Sequence, residues 1–184
     1  LAIFFPELVS HLIIANGVHP VPFQRAMAAG GAQSKASQYI NVLRAPNSED
    51  RLSENGFGKL LQLFSANMDL SWLSGDRLAE YKTEWARNGR LKAMINWYRA
   101  SPLVVADPGK PITNLASMDP ARLQVRCPHL LIWGMNDTAL LPETREGLET
   151  FVADLTVHEI EGADHWLHHQ NPKAVAQCLI KWYD

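Results

Sequence analysis

HLLIWGMND (residues 129–137) is an unbroken apolar run that ends in a Gly-x-x-Asp turn. Five apolar or aromatic-rich positions bounded by Pro128 and Gly134 form the pattern of a strand buried on both faces, as in a parallel sheet. On the N-terminal side, HLIIAN (residues 11–16) has the same character between a Pro6-Glu7 break and Gly17, and feeds a turn over residues 17–22. On the C-terminal side, residues 142–152 read as a helix with Pro142 in its first turn, and 155–160 as a further strand. A last helix starts at Asn171-Pro172, with Val175, Leu179 and Trp182 facing inward.

Between the first two strands the period changes. Ala36, Tyr39, Ile40 and Leu43 share one helix face. So do Leu78, Tyr81 and Trp85, in a helix whose cap is expected at Asp76, and Leu91, Met94, Ile95 and Tyr98 in the next. Residues 22–100 are therefore expected to be all helical. Residues 101–128, rich in Pro, Gly, Asp and Asn, read as an irregular return connection. Strand, helical insert, strand, helix, strand, helix is an α/β order: a mostly parallel sheet carrying an inserted helical layer.

The chain has 184 residues, 47% hydrophobic and 20% charged, with a net charge of −2, which suits a globular domain and gives no basic footprint for nucleic acid or an anionic membrane surface. Cys127 and Cys178 are too few and too far apart for a disulfide framework or a thiolate metal site, and read as small buried hydrophobes in a reducing compartment. No apolar run is long enough to span a membrane, and the opening LAIFF has no basic residue before it, so a cytoplasmic location is expected. The first residue is Leu1, and truncation or processing upstream is expected.

In open parallel sheets functional groups sit on the loops beyond the carboxyl ends of the strands. Two loops qualify, Gly134-Met135-Asn136-Asp137 and Gly162-Ala163-Asp164-His165-Trp166. An aspartate that takes the hydrogen bond of one imidazole nitrogen fixes the tautomer and leaves the other nitrogen free as a base, so Asp137 and His165 are a candidate pair. An aspartate after a strand is equally often a turn or helix cap. His165, His168 and His169 stand at i, i+3 and i+4, and on a helical loop they would share a face able to hold zinc with Asp164 or Asp137. The interleaved Trp166 and Leu167 favour a packed turn instead, and no metal or other cofactor is expected.

These segments resemble the α/β-hydrolases of the soluble epoxide hydrolase type, in order and spacing across nearly the whole chain. PELVSHLIIANGVHP resembles the segment that follows the nucleophile in that family, IWGMNDTALLP the relay-acid loop, and GADHWLHHQNP the catalytic-histidine loop, where Asp164 stands in place of the usual Gly. NWYRA (residues 96–100) looks like the motif that supplies one of two epoxide-binding tyrosines, and Tyr39 in QYINVLRAP matches the position of the other. Without the resemblance, Tyr39 and Tyr98 read as core tyrosines on apolar helix faces. His19, which also matches a family loop, reads as structural.

The resemblance implies a core segment at 1–20, a helical cap at 21–106 and the C-terminal part of the core at 107–184. It implies hydrolysis of a small apolar epoxide or ester through a covalent ester, with Asp137 as relay acid, His165 as base and Tyr39 and Tyr98 as hydrogen-bond donors. The family's nucleophile, in a Gly-x-Asp-x-Gly turn, and its upstream His-Gly loop have no counterpart in these residues. The expected partner is therefore the missing N-terminal half of the core, or another copy, covering an open sheet edge. An esterase, carbon–carbon hydrolase or dehalogenase of the same fold, a metal-dependent hydrolase, and a non-catalytic assembly module are the alternatives.

Overall fold

The computed structural model describes residues 1–65, 68–115 and 119–183. Parts of the expected helical insert (66 and 67), of the irregular connection (116–118) and of the C-terminal core segment (184) lie outside the described residues.

β1 (Leu12–Ala15), β2 (His129–Gly134) and β3 (Leu155–Ile160) form a parallel sheet in the order β1-β2-β3, with Leu12 opposite His129 and His129 opposite Leu155. Every residue of the central strand β2 is buried, as its continuous apolar run requires. Successive side chains point to opposite faces. Leu131 and Trp133 join a cluster with Phe23, Met27 and Phe151, while Leu130 and Ile132 pack on Leu167 and Cys178.

α1 (Pro20–Ala28) covers the first face. Its start three residues past Gly17 corrects the expected turn over 17–22, and the cause is His19, whose Nδ1 accepts the Val21 amide as an N-cap ahead of Pro20. Phe23 and Met27 of α1 are buried in the cluster that also holds Leu131 and Trp133 of β2 and Ile40 of the insert.

The insert comprises α2 (Ala32–Ala36), α3 (Gln38–Arg44), α4 (Ser48–Ser65), α5 (Gly75–Ala86) and α6 (Arg90–Ala100). It has a core of its own around Leu43, Leu52, Leu60, Trp85, Leu91 and Ile95. α4 is broken at residues 54–57, where Asn55, Gly56 and Phe57 all have positive φ. A bulky residue rarely holds that conformation. Phe57 is kept there by burial of its ring edge-on to Trp85, centroids 5.5 Å apart. Two expectations are corrected in this block. Ser74, not Asp76, occupies the N-cap of α5, without a side-chain cap bond, and Met94 turns to solvent while Leu91 and Ile95 are buried.

After β2 the expected helix over 142–152 is two single 3-10 turns, Pro142–Thr144 and Leu148–Thr150. Gly147 between them has φ 75°, a left-handed conformation that interrupts the helix. Val152 then bridges to Val125 as an isolated parallel pair. α7 (Leu167–Gln170) and α8 (Pro172–Tyr183) close the second face. The Asn171 side chain accepts the Ala174 amide at the start of α8, and Val175, Leu179 and Trp182 pack inward. Among the described residues no helix is long and apolar enough to cross a membrane.

Candidate active site

Parallel pairing of β2 with β3 carries the chain out of both strands at the same rim, and backbone bonds join the two loops there. The amide of Met135 donates to the Ile160 carbonyl (3.2 Å) and that of Asn136 to the Ala163 carbonyl (2.9 Å). The approach is close enough that a Cβ on Gly134 would lie 2.5 Å from the Asp164 carbonyl oxygen and 2.7 Å from that of Ala163. Only glycine fits this position, which gives the Gly of the Gly-x-x-Asp turn a steric reason.

Asp137 and His165 face each other across this junction. His165 Nδ1 and Asp137 Oδ2 are 2.8 Å apart. The other carboxylate oxygen, Oδ1, accepts the amides of Ala139 (2.8 Å) and Leu140 (2.9 Å), so the aspartate is also the turn cap that the sequence alone allowed. The two roles are compatible because each uses its own oxygen. The Asp137 side chain is fully buried, whereas that of His165 is 28% exposed, leaving its outer edge open to a reacting group. This is the arrangement that holds an imidazole in one tautomer and stabilises its charged form.

Two residues that hold this geometry were not singled out in the sequence. Asn16, at the end of β1 with φ 40°, donates from Nδ2 to the Asp164 carbonyl (2.6 Å) and accepts the Gly134 amide at Oδ1 (2.7 Å). It thereby ties all three strand ends together. Asparagine tolerates the left-handed conformation better than most residues, and that is the one local signal available. Gln33, fully buried, holds the relay loop: its Nε2 donates to the Ala139 carbonyl (2.9 Å) and its Oε1 accepts the Leu141 amide (2.8 Å). Nothing in the local sequence marks it.

Tyr39 from α3 and Tyr98 from α6 meet edge to face, ring centroids 6.0 Å apart. Both pack against the sheet cluster and against the helical cluster, which puts them at the seam between the two. Burial holds the Tyr39 hydroxyl well above the usual phenol range, and the neighbouring Tyr98 and Asp137 add to it; burial raises Tyr98 as well. Both are therefore neutral donors near pH 7. The charge of Asp137 is one of the causes that disfavour the Tyr39 phenolate. Arg44 donates to the carbonyls of Tyr98 (2.8 Å) and Ser101 (2.9 Å), and Arg99 pairs with Glu49, so the end of α6 is anchored on both sides.

The remaining histidines separate. His165 precedes α7 and points to Asp137; His169 stacks flat on Trp72, centroids 3.9 Å apart and planes 5° off parallel; His168 is exposed. The shared face that a helical loop would have given the three does not form, because α7 spans only Leu167–Gln170 and leaves His165 outside it. His19 caps α1, donates from Nε2 to the Leu123 carbonyl (2.9 Å), and stacks on Phe151, far from these groups in role.

A parallel sheet with an acid on the loop after one strand, a histidine on the loop after the next, and a helical layer inserted ahead of both is part of an α/β-hydrolase fold. Known proteins similar to this chain include epoxide hydrolases. The chain is 29% identical to epoxide hydrolase 4 of Homo sapiens over 97% of its own length and 48% of the human protein. It is 26% identical to the AB hydrolase superfamily protein YfhM of Bacillus subtilis over 96% of its length and 58% of that protein. Among solved structures, an inhibitor complex of the Bacillus megaterium epoxide hydrolase superposes with a TM-score of 0.81 at 26% identity, covering 99% of this chain and 63% of that one. An epoxide hydrolase from hot-environment metagenomes gives 0.83 at 29%, covering 96% and 59%. The potato epoxide hydrolase, at 21% identity and a TM-score of 0.69, shares the fold. No family profile matches. The chain thus spans about half the length of the curated relatives it matches.

Proposed function

We propose that the complete protein hydrolyses a small apolar epoxide to a vicinal diol through a covalent ester, and that this chain supplies the base, the relay acid and the donors to the ring oxygen. The helical insert is then the cap, 21–106, and 1–20 and 107–184 belong to the hydrolase core. A carboxylate oxygen from outside these residues attacks a ring carbon; the carbon–oxygen bond breaks, and Tyr39 and Tyr98 donate hydrogen bonds to the oxygen as it becomes an alkoxide. The alkoxide takes up a proton from solvent, leaving a hydroxy ester on the enzyme. His165, held by Asp137, removes a proton from water; the hydroxide adds to the ester carbonyl, the ester carbon–oxygen bond breaks, and the imidazolium returns its proton to the diol.

The observation that carries this reading is the phenol pair at the seam of insert and sheet, beside an imidazole–carboxylate pair. An esterase needs only the second of these. We further propose that the protein works in the cytoplasm, and that the free edge of β1 is covered by the remaining half of the core rather than by a second copy.

The test uses the full-length protein. Incubation of its His165→Gln variant with an aryl epoxide should add one substrate mass to the protein, and that mass should map to an aspartate in a Gly-x-Asp-x-Gly turn upstream of Leu1. Adduct on a serine would make the protein an esterase. Absence of any adduct, together with no turnover of epoxides or esters by the unaltered protein, would favour a non-catalytic assembly module.

A further inference from the structure

Asp164 stands immediately before His165, is 5% exposed, and has both carboxylate oxygens in use. Oδ1 accepts the Trp166 amide (2.9 Å), two residues on, which is a local turn cap. Oδ2 does something no local motif requires: it accepts the backbone amide of Asp69 (2.7 Å), 95 residues away in the helical insert. The carboxylate of Asp69 itself is turned away, accepting the amide and hydroxyl of Ser71 (both 2.8 Å), so two like charges do not meet.

Further contacts make this a seam rather than a single bond. Gln170 accepts the Asp164 amide at Oε1 (2.9 Å) and donates from Nε2 to the Asp69 carbonyl (3.3 Å). The Trp166 indole donates to the Phe64 carbonyl (3.1 Å) and packs on the Phe64 ring at 5.0 Å. From the sheet side, Asn16 holds the Asp164 carbonyl. The residue before the histidine is thus bonded to the sheet through its backbone and to the insert through its side chain.

A buried carboxylate is costly unless hydrogen-bonded, and bonds from backbone amides to an ionised oxygen are stronger than neutral ones. A glycine at 164 would make neither. A serine would still cap Trp166, but its shorter side chain presents one oxygen and cannot span to Asp69 as well. We infer that Asp164 is a positioning residue, a latch that sets the distance between the histidine loop and the insert bearing Tyr39 and Tyr98, an assignment that rests on the function proposed above.

The latch separates two steps of that reaction. Ester formation needs the phenols, carried by the insert, to stand correctly over the core. Ester hydrolysis needs the histidine loop itself. Asp164→Ser keeps the loop cap and loses the bridge; Asp164→Gly loses both. In the full-length protein, single-turnover kinetics should therefore show Asp164→Ser slowing ester formation about tenfold or more while hydrolysis of the formed ester stays near the unaltered rate, and Asp164→Gly slowing both steps. In both variants the Asp69 amide should exchange with solvent deuterium about tenfold faster, the size expected for one charge-assisted hydrogen bond.

An Asp164→Ser protein with unaltered exchange and unaltered steps would reduce Asp164 to a local cap and overturn the latch. Equal slowing of both steps in Asp164→Ser would make the effect general loosening and overturn it too. If Asp164→Gly does not fold, Asp164→Ser decides alone, since it retains the loop cap. Exchange needs no substrate, so a protein that forms no ester but shows the faster Asp69 exchange would fail the proposed reaction and keep the latch.

Discussion

Replacing His129 by leucine should remove a pH-dependent weakness from the sheet. His129 opens β2, is 5% exposed, and neither of its ring nitrogens has a hydrogen-bond partner among the described residues. It borders a cavity of about 190 Å³ that is also lined by His19, Leu131 and Leu148. Burial lowers its pKa to about 4, and the charge of His19 pushes the same way. The native state therefore holds His129 neutral where an unfolded chain, with its pKa near 6.5, takes up a proton. The stability tied to this group is whole above about pH 6.5 and is lost as the pH falls towards the folded value of about 4, at up to ~1.4 kcal/mol per pH unit. Integrated between pH 7 and pH 5, the loss is about 2 kcal/mol. His19, whose pKa burial also lowers, contributes with the same sign and is unaffected by the substitution. Urea unfolding of the full-length protein and of His129→Leu, at pH 7 and pH 5, measures the difference. The variant should match or exceed the unaltered protein at pH 7, because an unpaired buried imidazole is replaced by an apolar side chain. Its loss on going to pH 5 should be smaller by about 2 kcal/mol. Equal losses in the two proteins would show that His129 has a partner in the full-length fold, and the argument would fail.

Three further outcomes follow from the site. Tyr39→Phe and Tyr98→Phe should each slow ester formation about 10²- to 10³-fold with an aryl epoxide while leaving hydrolysis of an activated ester little changed, as stopped-flow and ester assays would register. Asp137→Asn should lower kcat by about 10⁴-fold, since the amide no longer selects the imidazole tautomer; near-normal turnover would remove Asp137 from the proposed relay. Gly134→Ala places a methyl group 2.5 Å from the Asp164 carbonyl oxygen and should destabilise the fold by roughly 2–4 kcal/mol in thermal or urea unfolding, with a displaced histidine loop in any folded fraction.

The central strand was readable because burial on both faces leaves a local trace, the apolar run of residues 129–133, whereas residues 12–15 have the same composition but are only partly buried, β1 standing at the edge of the sheet. The last helix was readable for the same kind of reason, with Asn171 and Pro172 at its start and an inward stripe behind them. The stretch over 142–152 misled because its composition suits a helix, and the left-handed φ at Gly147 depends on where Val152 must go to meet Val125. Asp137 was found because its place after a buried strand is a local fact. Asn16 was not found, because its significance lies in bonds to residues 118 and 148 positions away. The same holds for Gln33, whose partners on the relay loop are over 100 residues distant.

The open edge of β1 and the carboxylate that the proposed reaction calls for can be met by one segment. Among the described residues β1 pairs with β2 on one side only, and a flat run of unpaired strand edge is a liability that a folded protein covers. The exposed side chains of Leu1, Phe4, Phe5 and Leu8 precede that edge and add apolar surface that asks for the same cover. Asp137 follows the central strand and His165 the strand on its far side, while the rim position after β1 is occupied by Asn16, whose side chain is fully engaged in holding the other two loops. A parallel strand added outside β1 would run about 5 Å from it and end at the same rim. The group on the loop beyond that strand would then lie on the rim that carries Asp137 and His165, which is where the proposed reaction needs its carboxylate. One added strand would thus cover the edge and complete the site, so adduct mapping and edge protection in the full-length protein should implicate the same upstream segment.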